Sequence, residues 1–332
     1  MTILHRLMGA TAALALGAGA ALADPALIFD LGGKFDKSFN ESAHTGAQRW
    51  AEETGGEYNE VELQSDAQRE QALRRFAENG NNPIVMAGFS FATPLAEVAA
   101  DYPDTTFVII DGVVEADNVR SVIFSEHEGS YLVGMLAAMA SETGTVGFIG
   151  GMDIPLIRKF GCGYAQGVKA VNPDATVIAN MTGTTPAAWN DPVRGSELTL
   201  AQIGQGADVV YAAAGGTGVG VLQTAADQDI LSIGVDANQN YLHPGQVLTS
   251  MLKRVDVAVY NAFSAGAEEI ETGIHVLGVG EDGVGYALDE FNADLITDEM
   301  RVSVDEAADA IANGELLIHD YTSDESCPAV DF

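Results

Sequence analysis

The sequence predicts an α/β protein with two doubly wound parallel sheets, each covered by helices on both faces. Strand-like and helix-like patterns alternate along the chain, which favours parallel sheets with helices between the strands. The strand-like runs are more numerous than one sheet of ordinary size contains, so they divide naturally into two sheets. The length of 332 residues also exceeds the range of one hydrophobic core. We therefore expect two lobes.

The N-terminal residues 1–23 have the pattern of a signal peptide. Arg6 precedes an apolar run over Leu7–Leu16, and small residues lead to the cleavage site Ala21-Leu-Ala23. The apolar run is too short to cross a bilayer, and no later run is long enough, so we expect no direct membrane insertion. The residue directly after Ala23 is Asp24 and not a cysteine. We therefore expect a protein that acts outside the cytoplasm without a lipid anchor.

The elements follow from short apolar runs, which indicate strands, and from apolar residues at helical spacing, which indicate helices. Gly, Pro, Asn and Asp between these segments indicate turns. The predicted strands are 26–31, 57–63, 83–88, 105–111, 120–125, 144–150, 175–181, 207–214, 231–236 and 246–252. The predicted helices are 38–54, 66–79, 94–102, 128–142, 155–172, 191–205, 217–228, 254–272 and 298–314.

The boundary between the lobes has no linker composition, so we expect the chain to cross between them several times. We place a first crossing near 122–127, a second between Asp236 and Lys253, and a third near 274–280. The first lobe would then contain residues 24–122 and 250–274. The second lobe would contain residues 123–249 and 275–332.

The composition excludes several classes of partner and site. A formal net charge of −33 is unsuited to nucleic acids and anionic membranes, which are bound by basic surfaces. The six histidines are scattered, and Glu126-His127-Glu128 does not have a metal-binding spacing, so we expect no metal site. Cys162 and Cys327 are the two cysteines, and in an oxidising compartment they can form one disulfide. The sequence alone does not establish that they meet.

The segment Asp30–Asn40 joins the first predicted strand to the first predicted helix. Ser38-x-x-Glu41 has the pattern of a capping box, which places the start of the helix here. Asp30 then faces Phe39 and Asn40 in the crevice beyond the carboxyl ends of the strands, where α/β sheets bind ligands. The alternative is that Phe39 only packs and Asp30 only turns the chain.

Further chemical groups are predicted at equivalent positions. Three charged residues end predicted strands, and an aromatic residue lies just before a predicted helix whose N-cap is Asp191. Because the strand ends of both lobes converge on one cleft, these groups would meet there. Carboxylates, one ammonium group and two ring faces would bind a neutral ligand that has hydroxyl groups and a flat ring. The residues are Asp111, Trp189, Asp236 and Lys253.

Two motifs indicate enzymes only superficially. The glycine-rich segment Ala214–Gly220 lacks the third glycine of a dinucleotide-binding loop, because Gln223 occupies that position. It is better interpreted as a tight turn that presents backbone N–H groups to a ligand. Gly88-Phe-Ser-Phe-Ala92 lies at a strand-to-helix turn, but it lacks the second glycine of a nucleophile elbow. We therefore expect neither an enzyme nor a cofactor.

Taken in order, several stretches of the chain resemble the basic membrane protein family, the purine-nucleoside substrate-binding proteins of ABC transporters. The resemblance extends over nearly the whole chain after residue 23. The matching stretches are Asp30 with Asp36-Lys-Ser-Phe-Asn40, Val108-Ile-Ile-Asp-Gly112, Glu128-Gly-Ser-Tyr-Leu-Val-Gly134, Ala213-Ala-Gly-Gly-Thr-Gly218, Gly234-Val-Asp-Ala-Asn-Gln239 and Leu248-Thr-Ser-Met-Leu-Lys253.

The resemblance implies a type I periplasmic-binding-protein fold, with two Rossmann-like lobes joined by three crossings. It also implies a role for each predicted site residue. Phe39 and Trp189 would stack on the base, with Trp189 in place of a phenylalanine common in the family. Asn40 and Asp111 would contact the base edge, with Asp30 nearby. The ribose hydroxyl groups would be held by Asp236, Lys253 and the backbone of Gly215 and Gly216.

The implied function is that of a monomeric periplasmic receptor, which carries a nucleoside to a membrane ABC permease. The absence of the lipidated cysteine found in many relatives implies a freely diffusing protein. Three alternatives remain at this point. The chain could be a sugar receptor of the same fold, a secreted nucleoside-processing enzyme, or a ligand sensor that works with a membrane receptor.

Overall fold

The computed structural model describes residues 23–331, so the predicted signal peptide lies outside the described residues except for Ala23. The strands are β1 Ala26–Phe29, β2 Asn59–Glu62, β3 Ile84–Ala87, β4 Phe107–Ile110, β5 Val119–Phe124, β6 Thr145–Met152, β7 Thr176–Gly183, β8 Val209–Ala213, β9 Leu231–Asp236, β10 Val247–Lys253, β11 Gly273–Leu277 and β12 Val284–Tyr286. The helices are α1 Phe39–Thr54, α2 Gln68–Glu78, α3 Ala92–Val98, α4 Glu126–Ala140, α5 Pro155–Val171, α6 Pro192–Ile203, α7 Thr217–Asp227, α8 Val255–Glu269 and α9 Asp298–Ala312.

The strands form two sheets of six, and the predicted α/β class is confirmed. The first sheet has the order β11-β5-β4-β3-β1-β2, and all its pairs are parallel. The second sheet has the order β12-β10-β9-β8-β6-β7 and is parallel except for the antiparallel pair β10 and β12. We call the first sheet with its packed helices the first lobe, and the second sheet with its packed helices the second lobe.

All the predicted strands are present, but β11 and β12 were not predicted. β11 is an edge strand whose Ile274 and Val276 are exposed, so it has no continuous buried run. β12 has only three residues. Neither strand therefore leaves the apolar pattern that identifies a strand in a sequence. By contrast, the central strands β1, β3 and β4 are buried along their whole length, as strands covered by helices on both faces are.

Three connections run between the two sheets. They follow β5, β10 and β11, and lead to α4, α8 and β12 respectively. The predicted lobe boundaries at 250 and 274 differ from the strand pairing. Val247–Lys253 pairs with β9 in the second sheet, and β11 extends the first sheet to Leu277 by pairing with β5. The second crossing therefore comes after Lys253, because β10 has to end before the chain can leave its sheet.

Helices α4 and α5 of the second lobe pack with their backbones unusually close together. A Cβ atom added to Gly134 would lie 2.2 Å from the carbonyl oxygen of Tyr164. One added to Gly163 would lie 2.2 Å from the carbonyl oxygen of His127. Only glycine permits such an approach. The close packing brings the N-terminal turn of α4 beside the first half of α5.

The C-terminal tail after α9 is attached to α5. Cys162 and Cys327 form a disulfide with a Cα–Cα distance of 5.6 Å, the bond that the sequence left open. Gln166 adds two hydrogen bonds to the backbone of His319, at 2.9 and 3.0 Å. Within residues 23–331, no helix is both long and apolar enough to span a bilayer.

Candidate functional site

The largest concentration of predicted site residues lies in one cavity between the two sheets. The cavity has an empty volume of about 650 Å³, part of it open to solvent, which is within the usual range for small-ligand sites. Eight of the nine predicted residues line it, and Gly216 lies beside it. The eight are Asp30, Phe39, Asn40, Asp111, Trp189, Gly215, Asp236 and Lys253.

The fold brings four of these residues together because they follow or end parallel strands. Asp30 follows β1 and Asp111 follows β4, while Asp236 and Lys253 are the last residues of β9 and β10. Asp111 and Asp236 have φ angles of 66° and 64°, in the left-handed region that aspartate tolerates better than most residues. The backbone therefore turns sharply at the end of each of these two strands, and the carboxylate stays at the edge of the sheet.

Lys253 is the central charge of the cavity and connects the two lobes. Its Nζ atom lies 2.6 Å from Oδ2 of Asp111 in the first lobe and 2.9 Å from Oε1 of Glu126. The same atom lies 5.3 Å from the ring centroid of Phe39 and 5.5 Å from that of Phe160. An ammonium group so well enclosed by carboxylates and ring faces is held in one place.

The electrostatics of this group follow from burial and pairing. Burial alone would lower the pKa of Lys253, but Asp111 and Glu126 outweigh it, so the pKa is raised and the side chain is charged. Burial raises the pKa of Asp111 to about 6, against the opposing effect of Lys253. Burial also acts to raise the pKa of Glu126, but Lys253 and Lys159 reverse this and lower it. Glu126 therefore stays ionised although it is buried.

Helix α1 begins at the cavity, and its cap differs from the predicted capping box. Ser38 makes no capping hydrogen bond with its side chain. Instead the carboxylate of Asp36 accepts hydrogen bonds from the backbone N–H groups of Ser38, Asn40 and Glu41, at 2.9 to 3.1 Å. Asp36 thus satisfies the free N–H groups of the first turn, the role predicted for Ser38.

The side chain of Ser38 makes a contact between the lobes instead. Its hydroxyl group donates a hydrogen bond to Oδ2 of Asp236 in the second lobe. Nearby, Gln239 of the second lobe donates to the carbonyl oxygen of Lys37 at 2.8 Å. Burial raises the pKa of Asp36 to about 7, and the neighbouring Asp236 contributes in the same direction. Burial also raises the pKa of Asp236.

Two buried oxygen atoms on this side of the cavity have no hydrogen-bond partner among residues 23–331. They are Oδ1 of Asn40 and Oδ1 of Asp111. The amide nitrogen of Asn40 donates to the carbonyl oxygens of Gly33 and Asp30, at 3.2 and 3.4 Å, which fixes the orientation of the amide. A buried acceptor without a partner is costly, so a ligand that offers N–H or O–H donors would gain here.

The carboxylate of Asp30 is paired with an arginine that does not line the cavity. Its Oδ1 atom accepts from Nη2 of Arg69 at 2.5 Å and from the backbone N–H of Leu31 at 2.8 Å. Arg69 also contacts Asp66 at 2.6 Å. This ion pair could not be predicted from the sequence, because Arg69 lies on α2 and reaches Asp30 only in the folded chain.

Trp189 packs against glycines at the opposite side of the cavity. A Cβ atom added to Gly151 would lie 2.1 Å from Cζ3 of the indole ring, so a larger residue there would displace the ring. A Cβ atom added to Gly216 would lie 3.2 Å from the carbonyl oxygen of Trp189 and 3.7 Å from Cβ of Asp36 in the first lobe. Gly216 therefore lies where the two lobes meet, although it does not line the cavity.

Sequence reasoning missed Asp36, Phe160 and Glu126. Asp36 belongs to the segment that was singled out, but the capping pattern pointed to Ser38. Phe160 lies within α5, where an apolar residue predicts only packing. Glu126 lies beside His127 and Glu128, whose spacing does not fit a metal site, so the sequence pattern predicts no role for it. Within residues 23–331, no group of three His, Cys, Asp or Glu residues could hold a metal ion.

Comparisons with known proteins agree with the fold. Residues 25–316 match the family described as "ABC transporter substrate-binding protein PnrA-like". The ABC transporter nucleoside-binding protein BmpA of Lactococcus lactis is 31% identical over 318 residues, which cover 88% of each chain. A crystal structure of an ABC transporter solute-binding protein from Aeropyrum pernix K1 has a TM-score of 0.80 at 31% identity, covering 89% of this chain and 92% of that one.

The expectation that this chain has no lipid anchor is contradicted by its relatives. A protein of Pyrococcus furiosus is 35% identical over 274 residues, which cover 79% of this chain and 69% of that protein, and it is named an uncharacterized lipoprotein. Relatives from Pyrococcus abyssi and Pyrococcus horikoshii, also 35% identical, are named in the same way. The expectation of a freely diffusing protein rested on one missing cysteine after Ala23 and was wrong.

The family match extends over both sheets and includes every residue of the cavity. The similarity to the Aeropyrum structure likewise extends over most of both chains. The protein therefore belongs to the PnrA-like family of ABC transporter substrate-binding proteins, as the resemblance of its motifs indicated.

Proposed function

We propose that this protein binds a purine nucleoside in the cavity between its two lobes and delivers it to an ABC permease. The observation that carries the proposal is the set of groups that meet there. Two aromatic side chains, Phe39 and Trp189, line the same cavity as Lys253, Asp111 and Asp236. A flat base can stack on aromatic rings, and ribose offers hydroxyl groups to charged partners. The naming of the Lactococcus relative as nucleoside-binding supports this ligand class.

Each group has a role in this proposal. The unpartnered oxygens of Asn40 and Asp111 accept hydrogen bonds from N–H groups of the base. Asp236 and Lys253 contact the ribose hydroxyls, with the backbone of Gly215 close by. Because the residues come from both lobes, a bound ligand bridges them and favours the closed arrangement. The Ser38–Asp236 hydrogen bond adds a direct contact between the lobes in that arrangement.

The first experiment identifies the ligand without choosing it beforehand. Protein purified under native conditions is denatured, and the small molecules released are analysed by mass spectrometry. We expect inosine, guanosine or adenosine. Protein freed of ligand is then titrated calorimetrically with inosine, uridine, hypoxanthine and D-glucose, and inosine should bind most tightly. Binding of D-glucose without binding of any nucleoside would contradict the proposal and favour a sugar receptor.

Two further measurements address the remaining parts of the proposal. Inosine incubated with the protein should be recovered unchanged, because binding for transport involves no covalent step. Appearance of hypoxanthine would indicate a nucleoside-processing enzyme instead. Reconstitution with a permease and its ATPase in proteoliposomes should give uptake of the bound nucleoside that depends on this protein. We also expect a monomer, which light scattering during gel filtration measures directly.

A further inference from the structure

Five charged side chains of alternating sign run from the cavity to the C-terminal tail. We call them the charge row: Asp111, Lys253, Glu126, Lys159 and Asp320. The Nζ atom of Lys253 lies 2.6 Å from Oδ2 of Asp111 and 2.9 Å from Oε1 of Glu126. Lys159 lies 3.0 Å from Glu126 and 3.5 Å from Asp320. Only Asp111 and Lys253 line the cavity, so the other three residues reach the ligand site only through Lys253.

Glu126 is the middle of the row. Its side chain is 1% exposed, and its two oxygens face different ammonium groups, Oε1 that of Lys253 and Oε2 that of Lys159. A buried carboxylate between two cations holds both of them in place, because each charge would be costly to bury without its partners.

The row also lies on the connections between the lobes. Glu126 begins α4 directly after the first crossing, and Lys253 ends β10 directly before the second. Lys159 donates a hydrogen bond of 2.7 Å to the carbonyl oxygen of Phe124, the last residue of β5. The same set of ion pairs therefore ties the two crossings to α5.

The outer end of the row belongs to the C-terminal tail. Asp320 accepts hydrogen bonds from the backbone N–H and the hydroxyl of Thr322, at 2.8 and 2.7 Å, which orient its carboxylate. The tail around it is attached to α5 by the disulfide of Cys162 and Cys327 and by Gln166. Its position beside Lys159 is therefore fixed from both sides along the chain.

We propose that Glu126 is a positioning residue for ligand capture, which holds the Lys253 ammonium in the cavity. Asp320 of the C-terminal tail holds Lys159, and Lys159 in turn holds Glu126 in place. The ligand site then depends on a carboxylate that contacts no ligand and on a tail anchored at the far end of α5. The position of Lys253 can be measured without a ligand, whereas its effect on affinity rests on the proposed function.

The ligand-free test uses the small number of lysines in the chain. The five are Lys34, Lys37, Lys159, Lys169 and Lys253. Protein labelled with ¹⁵N-lysine gives ammonium NMR signals that single Lys→Arg variants assign. We expect Asp320→Asn to shift the signals of both Lys159 and Lys253. Asp324→Asn is the matched control, because Asp324 lies on the same tail and, within residues 23–331, has hydrogen bonds to His319 and Ser326 and none to the charge row. It should shift neither signal.

The affinity test uses inosine as the probe. Glu126→Gln keeps the size of the side chain and removes its charge, and it should weaken inosine binding by roughly 2- to 30-fold, the range for residues that act through a network. Asp320→Asn should weaken it less, and Asp324→Asn should not change it. Circular dichroism shows whether each variant is folded. If Glu126→Gln does not fold, Asp320→Asn still tests the proposal, because Asp320 is half-exposed and its substitution disturbs the core less.

The outcomes separate the two proposals. If the parent protein does not bind inosine or any other nucleoside, the proposed function fails, and the NMR shifts still decide the role of the charge row. If the parent binds but the Lys253 signal is the same in Asp320→Asn and in the parent, the support by the tail is refuted. If folded Glu126→Gln binds inosine as tightly as the parent, Glu126 does not position Lys253 for the ligand.

Discussion

The hydroxyl group of Ser38 in the first lobe donates a hydrogen bond to the carboxylate of Asp236 in the second lobe. Both residues are buried. Ser38 directly precedes α1 and Asp236 is the last residue of β9, and these ends of the helix and the strand lie at the cavity. The sequence pattern assigned Ser38 to the helix cap. In the structure Asp36 makes that cap, which leaves Ser38 available to join the lobes.

Ser38→Ala should therefore weaken ligand binding with little effect on stability. A hydrogen bond to a charged group contributes roughly 1.5–3 kcal/mol, and loss of about 1.4 kcal/mol corresponds to tenfold in affinity. We expect about tenfold weaker inosine binding by calorimetry. Ser42→Ala is the control, because Ser42 is also buried in α1 but accepts from the N–H of Asp256 on α8, within the first lobe. Equal losses in both variants would argue against a role in closure.

Trp189 should report ligand binding by fluorescence. It lines the cavity, whereas Trp50, the other tryptophan, packs against Phe263 with 5.3 Å between the ring centroids. Inosine should change the emission of the parent, and Trp189→Phe should abolish the change while retaining most of the affinity. Trp189→Ala should lose roughly 1–3 kcal/mol of binding free energy, the value for one stacked base. Unchanged affinity in Trp189→Ala would show that the indole only packs.

The contribution of Asp36 to the stability of the protein should fall as the pH rises from about 4 to about 7. Burial raises the pKa of Asp36 from 3.8 to about 7, so in this interval the folded chain keeps a proton that the unfolded chain has lost. A state that binds more protons is destabilised as the pH rises. Asp111 contributes in the same direction, because its pKa is raised to about 6.

Asp36→Asn should make this pH dependence weaker, because asparagine still caps a helix but does not titrate. Urea unfolding of both proteins across the interval measures the difference. The free energy of unfolding of the parent should fall more steeply with pH than that of the variant. Parallel pH profiles would mean that Asp36 is ionised throughout.

Removal of the disulfide should destabilise the protein without unfolding it. Cys162 and Cys327 are 165 residues apart in sequence, so their bond restricts a long loop of the unfolded chain. The double variant Cys162→Ser/Cys327→Ser should lose roughly 2–5 kcal/mol of stability in urea unfolding. The reduced parent protein should match it. A double variant as stable as the oxidised parent would show that the bond makes no net contribution.

Much of the fold was predictable because burial leaves a local pattern. Strands covered on both faces, such as β1 and β4, are continuous apolar runs in the sequence. The meeting of Asp111, Asp236 and Lys253 was also predictable, since parallel strands end at one edge of a sheet. The features that could not be predicted depend on contacts between distant parts of the chain. The ion pair of Asp30 with Arg69 and the position of Glu126 between two lysines arise only after folding.

The edge strand β11 completes the first sheet late in the synthesis of the chain. β11 is formed by residues 273–277, and α8, which packs against α1, precedes it. The N-terminal segment therefore emerges from the ribosome long before its own sheet can be completed. Until then the edge of β5 is unpaired, and an unpaired strand edge invites aggregation. The first sheet therefore cannot be completed until residues 273–277 have been synthesised.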